Sequence, residues 1–252
     1  MTLVPTPSTR IQLCGPTVVE RGGERIEGRL PGRQGRLLFA YLVCNRHRPS
    51  SRAELAEALW SDAAPAAAES ALSSLVSKLR KLLGAEVLDG RASLQLRLPA
   101  DAWVDVDVAA EAVHRAESQV ALGEWRAAWG PGLVALFIAA REFLPGEDAP
   151  WIDAERRHLS DLRVRALESY TAAALGTGGT ELPAAVRAAR QLVAEVPLRE
   201  SGYRMLMQAL AEQGNPAEAL RVYTDLCDVL RDELGVLPSA PTQRMYEALL
   251  RG

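Results

Sequence analysis

The chain has 252 residues, 48% hydrophobic and 24% charged, with a formal net charge of −3 and an isoelectric point near 5.8. That apolar content can fill two cores at the usual ~100–200 residues per domain, and it excludes a disordered or fibrous chain. No run of 18 apolar residues is present to span a bilayer, and MTLVPTPSTR lacks the apolar stretch of a secretory signal, so a cytoplasmic protein with no membrane partner is expected.

Charge is unevenly distributed. Residues 1–100 hold 14 Lys+Arg against 9 Asp+Glu, a balance of +5, and residues 101–252 carry −8. A basic domain over 1–101 followed by an acidic one over 102–252 is therefore expected. Cys14, Cys44 and Cys227 are widely spaced with no nearby histidine, which points to free thiols in a reducing compartment rather than a metal site or disulfide. Only two lysines occur against 27 arginines, a bias given no functional weight.

Residues 10–30 contain short β-type runs broken by Gly-Pro and Gly-Gly, a small meander or hairpin. RQGRLLFAYLVCNRHR (33–48) reads as a helix burying Leu37, Leu38, Tyr41, Leu42 and Cys44, ended by Pro49. Ser51 is a candidate N-cap for RAELAEALW, with Glu54 completing a capping box and Leu55, Leu59 and Trp60 pointing inward. SDAAPAAA then turns the chain. In ALSSLVSKLRKLLG (71–84), Leu72, Leu75, Val76, Leu79, Leu82 and Leu83 form one stripe at a 3.6-residue repeat.

The opposite side of that helix carries Ser70, Ser73, Ser74, Ser77, Lys78 and Lys81, with Arg80 at its margin and no acid after Glu69. A solvated face ordinarily mixes both signs, because opposite charges at i and i+4 support the helix. Short hydroxyls among cations suit close approach to a phosphate-lined groove, although a serine-rich solvated face has the same pattern. EVLDGRASLQLRLP (86–99) alternates around Asp89-Gly90 as a hairpin does. Strands, three helices and a hairpin make a winged helix, whose third helix enters the major groove while the wing touches backbone or minor groove.

Beyond Ala102 the patterns are helical, over about 105–121, 124–140, 150–175, 181–195, 199–213, 216–234 and 240–250, with breakers that include Gly130-Pro131, Pro145-Gly146 and Gly214-Asn215-Pro216. AVRAARQLVA from Ala185 aligns with ALRVYTDLCD from Ala219 at an offset of 34, the tetratricopeptide spacing. A compact stack of helical hairpins is expected. The fold class is mainly α with a small β component, a winged helix followed by an all-α tetratricopeptide-like bundle.

Catalytic signatures are absent from the text. GTGGT (176–180) lacks the Gly-Lys-Ser/Thr of a P-loop, His47, His114 and His158 lie far apart, and no Gly-x-Ser-x-Gly elbow occurs. Asp105 and Asp107 sit beside a helix start, where the dipole favours carboxylates. No enzyme, cofactor or metal is expected. Arg156, Arg157, Arg163 and Arg165 would bind an anionic ligand or, more commonly, form a solvated row paired with Glu155, Asp161 and Glu168. Trp103, Trp125, Trp129 and Trp151 would line a pocket or pack in cores and interfaces.

The residues carry a family resemblance. ALW (58–60) followed by VSKLRKLLG (76–84) is similar to the OmpR-like winged helix that opens the Streptomyces antibiotic regulatory proteins. That family's wing usually closes with Gly-Tyr-Arg-Leu, where this chain has ASLQL (92–96). WIDAERRHL (151–159), PLRESGYRMLMQAL (197–210), GNPAEALRVYTDLCDVLRDELGVLPS (214–239) and YEALL (246–250) resemble the bacterial transcriptional activation domain of the same family. The likeness is to its short form, without an ATPase module or phosphopeptide-reading domain.

The resemblance implies a sequence-specific DNA-binding transcriptional activator that binds promoter direct repeats, self-associates and contacts RNA polymerase. On this reading Ser70, Ser73, Ser74, Ser77, Lys78 and Lys81 face the groove, and Arg80, Arg91 and Arg97 hold phosphates. Arg33, Arg36 and Arg52 are secondary backbone candidates. The rival reading is a helical-repeat adaptor or sensor whose acidic bundle binds a protein or a small anionic effector.

Overall fold

The computed structural model describes residues 8–61 and 65–251. The start of the chain and the centre of the SDAAPAAA turn, at 62–64, lie outside the described residues. Two compact units are present. The first runs through Val108 and includes Arg141–Leu159; the second comprises Ala109–Ala140 and the chain from Ser160 onward.

The first unit opens with β1 (Thr9–Gln12), β2 (Val18–Arg21) and β3 (Glu24–Arg25), an antiparallel meander. A later strand, β7 (Trp103–Val104), adds to the other edge of β1 in parallel, giving the order β3-β2-β1-β7. This strand is too short to show periodicity. Helix α1 (Gly32–Cys44) buries Leu37, Leu38 and Leu42 as expected, with Tyr41 and Cys44 half-buried. It ends at Cys44 rather than at Pro49, because the Asn45 side chain and amide both bond the Tyr41 carbonyl, each at 3.0 Å, and close the last turn.

After β4 (Ser50–Ser51), helix α2 (Arg52–Trp60) starts at the expected capping box. The Glu54 amide reaches Ser51 Oγ at 3.2 Å, and the Ser51 amide reaches the Glu54 carboxylate at 2.6 Å. Leu55 is buried, while Leu59 and Trp60 are only half-buried. Helix α3 (Ala68–Leu83) follows, then β5 (Leu88–Asp89) and β6 (Ser93–Leu96) form the hairpin, with β6 also paired to β4. Burial of Leu72, Leu75, Val76, Leu79 and Leu83 on α3 contributes roughly 1.5–3 kcal/mol per side chain. Leu82 is half-buried at the stripe's edge.

Residues 141–159 complete this unit. Phe143 is buried, bridges to Cys14 and stands edge-on to Trp151. Trp151 also meets Tyr41 edge-on at 5.3 Å and donates its indole N–H to the Ala58 carbonyl at 3.0 Å. Asp105 is fully buried and more than a helix-start charge. It accepts the Leu13 amide at 3.0 Å and the Cys14 amide at 2.8 Å, tying β1 to the first turn of α4 (Asp105–Ala121). Burial pushes the Asp105 carboxyl above its usual range, against the pull of those amides. Burial, with help from neighbouring carboxylates, also raises the Cys14 and Cys44 thiols, and all three cysteines are free.

The second unit is helical: the rest of α4, then α5 (Trp125–Ala139), α6 (Pro150–Thr177) from Ser160, α7 (Leu182–Glu195), α8 (Glu200–Glu212), α9 (Pro216–Leu234) and α10 (Ala240–Arg251). The expected break at Gly130-Pro131 does not occur, and Pro131 lies inside α5. Continuing the helix keeps Gly132 against Tyr170 of α6, where an added Cβ would already lie 3.3 Å from a neighbour. Trp129 stacks on that tyrosine at 6.2 Å. The 34-residue repeat is visible as burial: Ala185 and Leu192 on α7, like Ala219 and Leu226 on α9, are fully buried, and the matching Arg187 and Arg221 are exposed.

Candidate nucleic-acid interface

Periodicity sets which face of α3 is offered. With its leucines packed inward, Ser70, Ser73, Ser74, Ser77, Lys78 and Lys81 are all exposed. Among the described residues no carboxylate pairs with Lys78, Lys81 or Arg91. The helix stops at Gly84, whose φ of +99° suits glycine and whose amide bonds the Arg80 carbonyl at 2.8 Å. Arg21 from β2 donates to the Leu83 carbonyl, a cap that sequence spacing does not reveal.

The wing stands beside this face. Its turn takes in Gly90, Arg91 and Ala92, beyond the Asp89-Gly90 pair alone, and Arg91 is exposed at the tip. Gly90 adopts φ +91°, and a Cβ there would sit 1.9 Å from the Ser93 carbonyl oxygen, so only glycine fits. The Gly90 amide first, then Arg97, hold the Asp89 carboxyl below the usual carboxylate range. Arg97 Nε and Nη2 lie 3.2 and 3.1 Å from Asp89 Oδ2.

The remaining expected cations are engaged within the unit. Arg80 is half-buried and gives Nε and Nη2 to the wing carbonyls of Leu88 and Gly90. Arg52 pairs with Glu69 and donates Nη2 to Ser73 Oγ at 2.7 Å. Arg33 bonds Glu147 at 2.6 Å, with Arg36 3.9 Å from the same carboxylate. The structure thus brings Ser70, Ser73, Ser74, Ser77, Lys78, Lys81 and Arg91 to the surface of one helix and its wing, and keeps Arg33 and Arg36 with the 141–159 segment. The Arg52 and Arg80 links were missed in the sequence because each joins residues from separate elements.

Three of the four α6 arginines are paired, while Arg157 is exposed and has no partner among the described residues. Arg156 bonds the carbonyls of Phe143, Leu144 and Glu147 and pairs with Glu142 at 3.0 Å. Arg163 pairs with Glu195 at 2.8 Å, and Arg165 makes a bidentate pair with Glu117 at 2.8 and 2.7 Å. Of the expected partners, Asp161 lies 3.7 Å from Arg165, Glu168 pairs instead with Arg199, and Glu155 is a half-buried carboxyl raised by burial.

A family model described as "Bacterial transcriptional activator domain" matches residues 104–250. The chain is 32% identical over 243 residues to the regulatory protein AfsR of Streptomyces coelicolor, covering 96% of this chain and 24% of that protein. The chain belongs to the Streptomyces antibiotic regulatory protein family. Another relative is the transcriptional regulator RedD of Streptomyces coelicolor, 28% identical over 267 residues, 95% of this chain and 70% of RedD. A solved structure of Mycobacterium tuberculosis EmbR, in complex with a low-affinity phosphopeptide, superposes with a TM-score of 0.83 at 25% identity, covering 98% of this chain and 66% of EmbR. The chain spans about a quarter of AfsR's length. Among the described residues, no helix of this family member is long and apolar enough to cross a membrane.

Proposed function

We propose that this protein is a sequence-specific DNA-binding transcriptional regulator, acting as an activator in the cytoplasm at the nucleoid. The observation that carries the reading is the face of α3 that bears no acid after Glu69, where Lys78 and Lys81 stand exposed among serines while the leucine stripe is buried beneath. Lysine can reach guanine acceptors in a major groove, and serine can bond base edges or phosphates. Arg91 supplies a backbone contact from the wing, whereas Arg97, paired with Asp89, and Arg33 and Arg36, beside Glu147, add little field of their own. Residues 1–101 serve as the DNA-binding domain. Residues 102–252 serve the activator role, supporting self-association on direct repeats and contact with RNA polymerase; the activator-domain family model matched over residues 104–250 supports the first of these.

The test is fluorescence anisotropy with the duplex upstream of the protein's own gene and a scrambled duplex of equal length. Tighter binding to the upstream duplex, with log affinity falling linearly against log salt, is the expected result. Equal affinity for both duplexes at every salt concentration would remove the proposal.

A further inference from the structure

The main-chain carbonyls of the wing turn are held by arginines from two different helices. Arg80, one turn before the end of α3, donates Nε to the Leu88 carbonyl at 3.0 Å and Nη2 to the Gly90 carbonyl. Arg52, at the start of α2, binds Glu69 and Ser73 on α3, and its Nη1 lies 3.5 Å from the Arg91 carbonyl. Inside the wing, Asp89 receives the Gly90 amide at 2.7 Å and the Arg97 guanidinium. A hairpin built from a two-residue and a four-residue strand has little rigidity of its own, so what fixes its tip must come from outside it.

From this arrangement, and resting on the DNA-binding reading above, we infer that Arg80 is a positioning residue that locks the wing to the recognition helix and thereby sets DNA specificity, rather than a phosphate contact. The planar fork of Arg80 spans two carbonyls at once, which a lysine ammonium on its flexible stem does not reproduce. With the wing locked, Arg91 is carried at one offset from Lys78 and Lys81, and only DNA whose groove and backbone match that offset engages both. A loosened wing still meets phosphates on any sequence, but the ordering cost of fixing it falls on the specific complex. Arg52 reinforces the lock by tying Ser73 to the same turn.

The test uses the full chain with Arg80→Lys and Arg80→Ala, and it has two readouts. Without DNA, hydrogen exchange across residues 86–97 is expected to rise about tenfold in both variants, while α3 peptides stay protected. With DNA, both variants are expected to bind the upstream duplex about tenfold more weakly, at unchanged affinity and salt slope on the scrambled duplex. A phosphate contact behaves differently. Lysine would then preserve binding, and alanine would weaken both duplexes alike and lower the salt slope by about 0.9. That pattern overturns the inference, as does unchanged wing exchange, or wing loosening without loss of discrimination. If Arg80→Ala does not fold, Arg80→Lys keeps charge and stem and decides the matter. If the wild type itself shows no preference between duplexes, the functional reading fails, and with it the claim about specificity, while the exchange measurement still decides whether Arg80 holds the wing.

Discussion

Two helices carry rows of cations, and most of one row is paired while the other is open. On α6, Arg156, Arg163 and Arg165 each meet a carboxylate delivered from elsewhere in the sequence, Glu142, Glu195 and Glu117, and only Arg157 of that row stays open among the described residues. On α3, Lys78 and Lys81 meet none among the described residues, and the acid in that helix's first turn, Glu69, is taken by Arg52. A basic stripe in a sequence is therefore not a binding surface by itself. What matters is whether the fold brings counter-charges to it, since a neutralised row has little field left to attract an anion.

This contrast predicts that stability and DNA affinity separate by region. The largest effect belongs to a residue that holds the fold and touches no interface. Asp105→Ala leaves the buried Leu13 and Cys14 amides without an acceptor and should cost about 3 kcal/mol in urea denaturation. A loss below ~1 kcal/mol would mean that β1 does not depend on this carboxylate.

Next comes the exposed row. Lys78→Ala with Lys81→Ala should weaken specific DNA binding on the order of 100-fold and flatten its salt dependence, with an unchanged urea midpoint. Unchanged affinity across several salt concentrations would erase the distinction between the two helices. Arg165→Ala should do the reverse: a partly exposed pair is worth at most about 1 kcal/mol of stability, and DNA affinity should not move. A matched loss of DNA affinity would show that the α6 row is functional despite its partners.

The smallest effect is a slope against pH. Burial raises the folded-state pKa of Asp105, so the folded chain holds that proton more tightly than the unfolded chain. Its contribution is complete below the unfolded value of about 4 and declines as pH rises through the folded value. The wild type should therefore lose stability relative to Asp105→Asn as pH increases across that window, measured as paired urea midpoints. A difference that is flat or rises would contradict a carboxyl raised by burial.

Much of the framework was legible in the sequence. The α3 stripe, the Ser51–Glu54 capping box and the 34-residue repeat are local or periodic, and each appeared at its expected position because i, i+3, i+4 spacing is itself the geometry of a helix. Two features were not legible. Strand β7 is two residues long and forms only because β1 offers a free edge. Pro131 lies within α5 although a proline removes a helical hydrogen bond, and the helix continues with Gly132 packed on Tyr170. The candidate site divided similarly: the exposed serines and lysines followed from periodicity, whereas the roles of Arg52 and Arg80 depended on a hairpin folding back to them.

Sequence alone determined which residues of α3 turn outward and that they bear one sign of charge, because burial of a leucine stripe leaves a helix a single rotation about its axis. Only the tertiary structure decided which cations stay open, since a counter-ion from tens of residues away is chosen by distance in space. It also decided that residues 141–159, lying within the region matched by the activator-domain family, complete the first unit, through an indole bonded to the end of α2 and a phenylalanine on β1's extension. Long-range partners of this kind carry no periodic signature, so the chain must fold before they can be identified.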